Sequence, residues 1–494
     1  MRVATGDLLR NWARIQPQAV AVIDGQSGQS ISYSELDRQS DRIAWALYRA
    51  GVRPGSVVGY VMRDSIRVVI LLYAVGKLGA AWTPLNPHMR AGDWERQLLH
   101  SGAGTVVADG TDPMAFVAVQ NCRRIAWTDL DLGDSAHPFP LAVSSRDRAG
   151  ILYTSGTTGV PKGAWHTHET LWGWNYSLLA SVGITRDDRI LNPYPLFHMG
   201  GIGFTLAALQ TGASVVLETP FDASHLVCSA RRWGGTLALM VPTMVQALLD
   251  LSYEERHGLG ESALRHVVTT SAPLLSETRR EMARAWPLMP VSVLYSATEA
   301  IFSLMRHEER TAPLCVGRPV FGSEIIVLDD SRRPCPAGVP GTVYVRGLSA
   351  FSGYHGAPDQ FEAWWDEWIT CFDYGYMDDD GYLYLVDREK DLINSGGEKI
   401  SSLVIENALR THPNIREVGV VGIPDRYWGE AIHAVVVPKG PGLTAEDVKA
   451  FARIHLPAYQ VPKTVVFQQS LPKTSTGKVL KRELRERSQT VARE

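Results

Sequence analysis

The chain has 494 residues, too many for one hydrophobic core, so two or more domains are expected. A formal net charge of −3 offers no general attraction for nucleic acid or an anionic membrane, and 45% hydrophobic residues is ordinary for a soluble globular protein. The five cysteines have neither metal-ligand nor redox spacing and read as reduced thiols of a cytoplasmic protein.

The first ten residues carry no apolar core of signal-peptide length. Residues 36–48 read as an amphipathic helix with Leu36, Ile43, Ala44 and Leu47 on one face. Residues 56–62 suit a buried strand, 65–79 a helix and 80–85 the next strand. The apolar run 68–82 is broken by Lys77, Gly76 and Gly79 and falls short of the roughly 20 residues that span a bilayer. Strand–helix–strand order predicts parallel sheet with crossover helices, and strands at 214–217, 238–241, 265–270 and 291–294 continue it. Runs 324–328 and 341–346, close together with turn residues between, suit antiparallel pairing. After 382–386, Asp387-Arg-Glu-Lys-Asp391 interrupts the apolar pattern and a small α+β unit begins. The expected fold is α/β: a large N-terminal domain of mixed and parallel sheets over 1–388, and a small mobile α+β domain over 389–494.

The loop between the apolar run 151–153 and a helix expected from Thr170 onward carries the densest chemistry. Thr154, Ser155, Thr157 and Thr158 supply hydroxyls, Gly156, Gly159 and Gly163 let backbone N–H groups approach a ligand, and Lys162 adds a point charge. Many short-range donors with one cation suit a triphosphate. It is not a Walker A loop, because Pro161 stands where that motif needs glycine and Gly163 follows the lysine. His166 and His168, followed by Glu169, lack the third and fourth ligands of a zinc site.

The segment Tyr153–Gly163 resembles the signature loop of the adenylate-forming superfamily, which includes acyl- and aryl-CoA synthetases, peptide-synthetase adenylation domains and beetle luciferases. Further landmarks follow in the family's order. They are Tyr295-Ser-Ala-Thr-Glu299, Val316-Gly-Arg-Pro319, Asp373 with Asp378–Tyr382, Arg388-Glu-Lys-Asp391, Ser395-Gly-Gly-Glu398 and Leu471–Lys478.

The resemblance implies ATP-dependent activation of a carboxylic acid as its acyl-AMP, then transfer to coenzyme A, with Mg²⁺ as cofactor. It implies that Glu299 holds the metal, Thr298 contacts the α-phosphate, and Lys478 bridges carboxylate and α-phosphate. It places Tyr295 and Ser296 by the adenine, Asp373 on the ribose hydroxyls, and Arg388 on ribose or phosphate. Ser271, Ala272 and Pro273 pass close to the nucleotide and the acyl group. Phe197, His198, Gly201, Thr243, Ala297 and Phe302 are the expected acid pocket, with Trp172, Trp174, Met199 and Ile202 as further walls. Rotation at Lys390 exchanges Lys478 for the loop Ser395-Gly396-Gly397, which leaves room for a pantetheine arm.

Two departures stand out: Cys371-Phe372 precedes Asp373 where Thr-Gly is common, and Thr270-Ser271 replaces two glycines before Ala-Pro. The added Cβ atoms narrow the site and favour an aromatic or medium-length acid. Phe197-His198 stands where amino-acid-activating relatives carry an aspartate, which disfavours an amino-acid substrate. The expected partners are the acid, ATP and CoA or a carrier protein, with neither nucleic acid nor membrane, in a monomer or homodimer. An alternative acceptor is a carrier-protein pantetheine, an amine or another nucleophile. A non-catalytic nucleotide-binding regulator would show damage at Lys162, Glu299, Asp373 or Lys478, and all four are present.

Overall fold

The computed structural model describes residues 4–109, 122–130, 137–140, 142–154, 162–274, 276–307, 314–356, 363–396, 398–473 and 479–491. Three sheets organise them. The first begins with parallel strands Val20–Asp24, Ser214–Leu217, Arg189–Asn192, Leu237–Met240, His266–Thr269 and Val291–Ser296. It then turns antiparallel through Ile301–Met305, Cys315–Pro319, Leu383–Arg388, Trp368–Met377, Gly341–Gly347 and Ser323–Leu328. The second runs from Gly353–Tyr354 through Lys162–Thr167, Arg148–Thr154 and Ala81–Pro84 to Val57–Val61 and beyond. The third is built wholly from residues after Arg388, around the long pair Ile415–Asp425 and Gly429–Pro438.

Local signals explain the elements. Helix Tyr33–Arg49 starts where Ser32 accepts the Glu35 N–H, and Leu36, Ile43, Ala44 and Leu47 are all buried. Helix Ile66–Leu78 is apolar all round because it lies within the core, and Gly79 ends it in left-handed backbone. Lys77 interrupts that run without reaching water: Asp37 and Asp41 hold its ammonium at 2.5 and 2.8 Å. Among the described residues no helix is long and apolar enough to cross a membrane.

One expectation is corrected. The loop after Thr154 does not lead directly into a helix. Strand Lys162–Thr167 comes between, pairing antiparallel with Arg148–Thr154, and the helix starts at His168, where Thr167 and Thr170 form a capping box. The phosphate-type loop therefore joins two strands of a hairpin, with Thr154 opposite Lys162.

Asp387, near the end of strand Leu383–Arg388, caps the helix Ser402–Arg410. Its carboxylate accepts from Ser402 N at 2.7 Å and Ser402 Oγ at 2.5 Å. Next to it, the turn Glu389–Asp391 is held by Arg485, which donates to Lys390 O and Asp391 at 2.9 and 3.0 Å.

Candidate active site

The carboxyl ends of parallel strands in an open sheet are where ligands bind, and the site is assembled there. Strand Val291–Ser296 delivers Tyr295 and Ser296, and the turn before Ile301–Met305 carries Ala297, Thr298 and Glu299. Tyr295 donates its hydroxyl to one oxygen of Asp373, while Arg388 Nε lies 3.3 Å from the other. Cross-strand register makes the second contact, since Asp373 faces Arg388 directly. Burial, reinforced by the Asp373 charge, pushes the Tyr295 phenol well up and keeps it a donor.

Glu299 is 7% exposed, and its carboxylate accepts from Tyr354 Oη at 2.7 Å. The half-buried Cys371 thiol lies against the same carboxylate, and desolvation together with the Glu299 and Asp373 charges holds it protonated. Lys162 reaches this group too, its Nζ 5.2 Å from the Tyr354 ring centroid.

Both departures noted in the sequence fall on left-handed backbone: φ is +73° at Ser271 and +61° at Phe372. Glycine is the usual occupant of such positions because it has no Cβ, so each substitution carries strain on the order of 1 kcal/mol. Ser271 gains a partner in return, since its hydroxyl and that of Tyr194 are 2.9 Å apart. Thr270 and Ser296 hydroxyls meet at 3.2 Å. Together these residues form a wall of hydroxyls beside the carboxyl ends of the strands.

Next to Tyr194, His198 precedes helix Met199–Thr211, with its ring 4.6 Å from that of Phe197. Burial holds its pKa down to about 4, so it is neutral at physiological pH. A Cβ at Gly201 would come within 2.1 Å of Pro195 O, so glycine there permits the loop to pack on the helix rather than lining a pocket. Ala297 is half-buried, Ala272 half-buried and Pro273 exposed. Thr243 is exposed on helix Pro242–Leu249.

Phe302 is fully buried with its ring 4.5 Å from Tyr295, so it backs that ring. Trp174, Met199 and Ile202 likewise belong to the main core, whereas Trp172 is half-buried. Ser395 pairs opposite Gly429. Gly396 adopts φ +63° with its N–H bonded to Trp428 O at 2.9 Å. Ser155, Gly156, Thr157, Thr158, Gly159, Gly397 and Lys478 lie outside the described residues.

Sequence reasoning missed Tyr354 and His166 as members of this neighbourhood, whereas Tyr194 opens the segment 194–201 from which the acid pocket was expected. His166 Nε2 lies 2.9 Å from Thr298 O, an acceptor, so that nitrogen carries the proton. Burial holds its pKa down to about 4 as well. The one sequence signal, and for His166 alone, was its alternation with Lys162 and Ala164.

The AMP-binding enzyme model matches residues 9–355, and the AMP-binding enzyme C-terminal domain matches 404–478. A feruloyl-CoA synthase from an Amycolatopsis species is 34% identical over 482 residues, 96% of this chain and 97% of that protein. The ATP-bound structure of MatB from Rhodopseudomonas palustris superposes with a TM-score of 0.91 at 26% identity, covering 99% of this chain and 100% of that one. O-succinylbenzoate coenzyme A synthetase (MenE) from Bacillus subtilis, in complex with ATP and magnesium ion, gives 0.87 at 27% identity, covering 97% and 98%.

Proposed function

We propose, from the premise that this chain belongs to the AMP-binding enzyme family, that it ligates an aromatic carboxylic acid to coenzyme A. The chain is an AMP-forming acid–thiol ligase that uses ATP, magnesium and CoA. A carboxylate is a poor electrophile, so its oxygen first attacks the α-phosphate of ATP and pyrophosphate leaves. The CoA thiol then attacks the carbonyl carbon of the acyl-adenylate and AMP departs.

The observation that carries the assignment of roles is the Tyr295–Asp373–Arg388 cluster beside Thr298–Glu299. A carboxylate with both oxygens pre-aimed suits the vicinal hydroxyls of ribose, and Tyr295 offers a ring face to adenine. Glu299 supplies the hard oxygen that Mg²⁺ accepts, whereas the adjoining Cys371 thiol is too soft to compete. When bound, Mg²⁺ would neutralise triphosphate charge. Lys162 and the Thr154–Gly159 loop grip the phosphates, Thr298 meets the α-phosphate, and Lys478 bridges it to the acid.

We divide the chain at 388/389, with Lys390 as the pivot that replaces Lys478 by Ser395–Gly397 for the second step. An aromatic acid is supported by the two relatives whose names specify ferulate and succinylbenzoate, and by the hydroxyl wall that narrows the pocket. The demand for ATP and CoA, and five cysteines outside any disulfide, support a cytoplasmic setting.

Acid-dependent pyrophosphate release should be measured over aromatic, medium-chain and long-chain acids, with mass analysis of products when CoA is supplied or withheld. Aromatic acids are expected to lead, with a thioester formed only when CoA is present. A preference for long chains, or no thioester with CoA, would reject the reading.

A further inference from the structure

Along strand Lys162–Thr167, alternation puts Lys162, Ala164 and His166 on one face. Tyr354 pairs opposite Ala164 on the neighbouring strand. From this face, His166 Nε2 donates to Thr298 O at 2.9 Å and Tyr354 Oη donates to Glu299 Oε1 at 2.7 Å. Phe351 N adds a bond to Glu299 O at 2.8 Å. The dipeptide Thr298–Glu299 is thus tied, by carbonyls and carboxylate, to the strand that follows the phosphate loop and to the segment Phe351–Tyr354 beside it. Lys162 shares the arrangement through the Tyr354 ring.

We propose that His166 and Tyr354 are positioning residues that hold Thr298–Glu299 in register with the phosphate loop. This rests on the roles given above to Thr298 and Glu299. A turn between two antiparallel strands leaves a glutamate several side-chain torsions to search, and Tyr354 removes that search before metal arrives. Preorganisation matters here because charge develops at phosphorus only in the transition state, and a displacement of about 1 Å can cost on the order of 10² in rate. Buried polar side chains ordinarily find whatever partner is near. Here, two from adjacent strands converge on one dipeptide, and each is the donor to an acceptor-only oxygen.

Tyr354→Phe keeps the ring beneath Lys162 and removes only the hydroxyl. With a non-hydrolysable ATP analogue bound, its affinity for Mn²⁺, read by electron paramagnetic resonance, is expected to fall about tenfold, the size typical of losing a ligand's outer-shell partner. Affinity for the analogue without metal should stay within about twofold. His166→Leu is expected to lower kcat for pyrophosphate release about 100-fold with the acid KM unchanged, and His166→Gln, which retains an N–H donor, to recover at least about tenfold of that loss. Wild-type Mn²⁺ affinity in the Tyr354 variant, or equal kcat in the two His166 variants, would overturn the proposal. The Mn²⁺ measurement needs no turnover. A chain that binds the analogue but releases no pyrophosphate therefore rejects the ligase reading, while the metal arm still decides the positioning one.

Discussion

Tyr295 donates its hydroxyl to one oxygen of Asp373 while Arg388 stands 3.3 Å from the other, so the groups assigned to base and sugar hold one another. The carboxylate is aimed by protein donors rather than by the nucleotide. Tyr295→Phe preserves the ring and removes the aim. Hydrogen bonds to charged groups contribute about 1.5–3 kcal/mol, so KM for ATP should rise about tenfold or more, with the acid KM unchanged. Initial rates at varied ATP and varied acid separate the two.

Ser271 sets strain against a hydrogen bond. Ser271→Gly removes both, and the two contributions, each about 1 kcal/mol, should offset to within about 0.5 kcal/mol. Ser271→Ala removes only the bond and should destabilise by about 1 kcal/mol. Urea denaturation of both variants gives the comparison, and equal stability of the two would contradict it. The glycine variant should also widen the range of acids accepted.

Two carboxyls, the half-buried Asp64 and the buried Glu218, make stability depend on pH. Burial pushes Asp64 up to about 7 and Glu218 up to about 7, both above the range of an exposed carboxyl. The folded state then binds more protons than the unfolded one between about pH 4 and 7, so this stability is full below about 4 and is lost as pH rises through 7. Glu218→Gln should therefore gain at least about 1 kcal/mol at pH 8 over its effect at pH 5. Equal effects at both values would refute the assignment.

The two-step scheme separates Lys478 from Gly397. Lys478→Ala should retain ATP binding and lose about 10²–10³ in adenylation rate, as for other preorganised charges. Gly397→Leu should spare pyrophosphate release and block thioester formation, because a side chain fills the space a pantetheine arm needs. Pyrophosphate exchange should be lost in Lys478→Ala and kept in Gly397→Leu, whereas thioester formation from supplied acyl-adenylate should be kept in the first and lost in the second.

Much of the architecture is legible in the residues. The parallel order up to Val291–Ser296 and the helix Ala445–His455 follow from apolar periodicity and caps, both local properties. Strand Lys162–Thr167 is not legible, because the face it turns toward Thr298 holds a lysine, an alanine and a histidine rather than an apolar series. Phe302 shows a second limit: that it backs the Tyr295 ring is set by packing and not by its place near a motif. Tyr354 shows a third, since its meeting with Glu299 spans 55 positions and depends on how two sheets abut.

The Asp387 cap has a consequence for turnover. Asp387 precedes Lys390, and the helix it caps follows it, so any torsion at Lys390 pulls Ser402 out of the carboxylate's grasp. Under the proposed rotation the small unit is latched, and each catalytic cycle must release the latch and find it again. The enzyme's clock would then be set partly at a single carboxylate that touches no substrate, where the strength of one helix cap governs how long each half-reaction lasts.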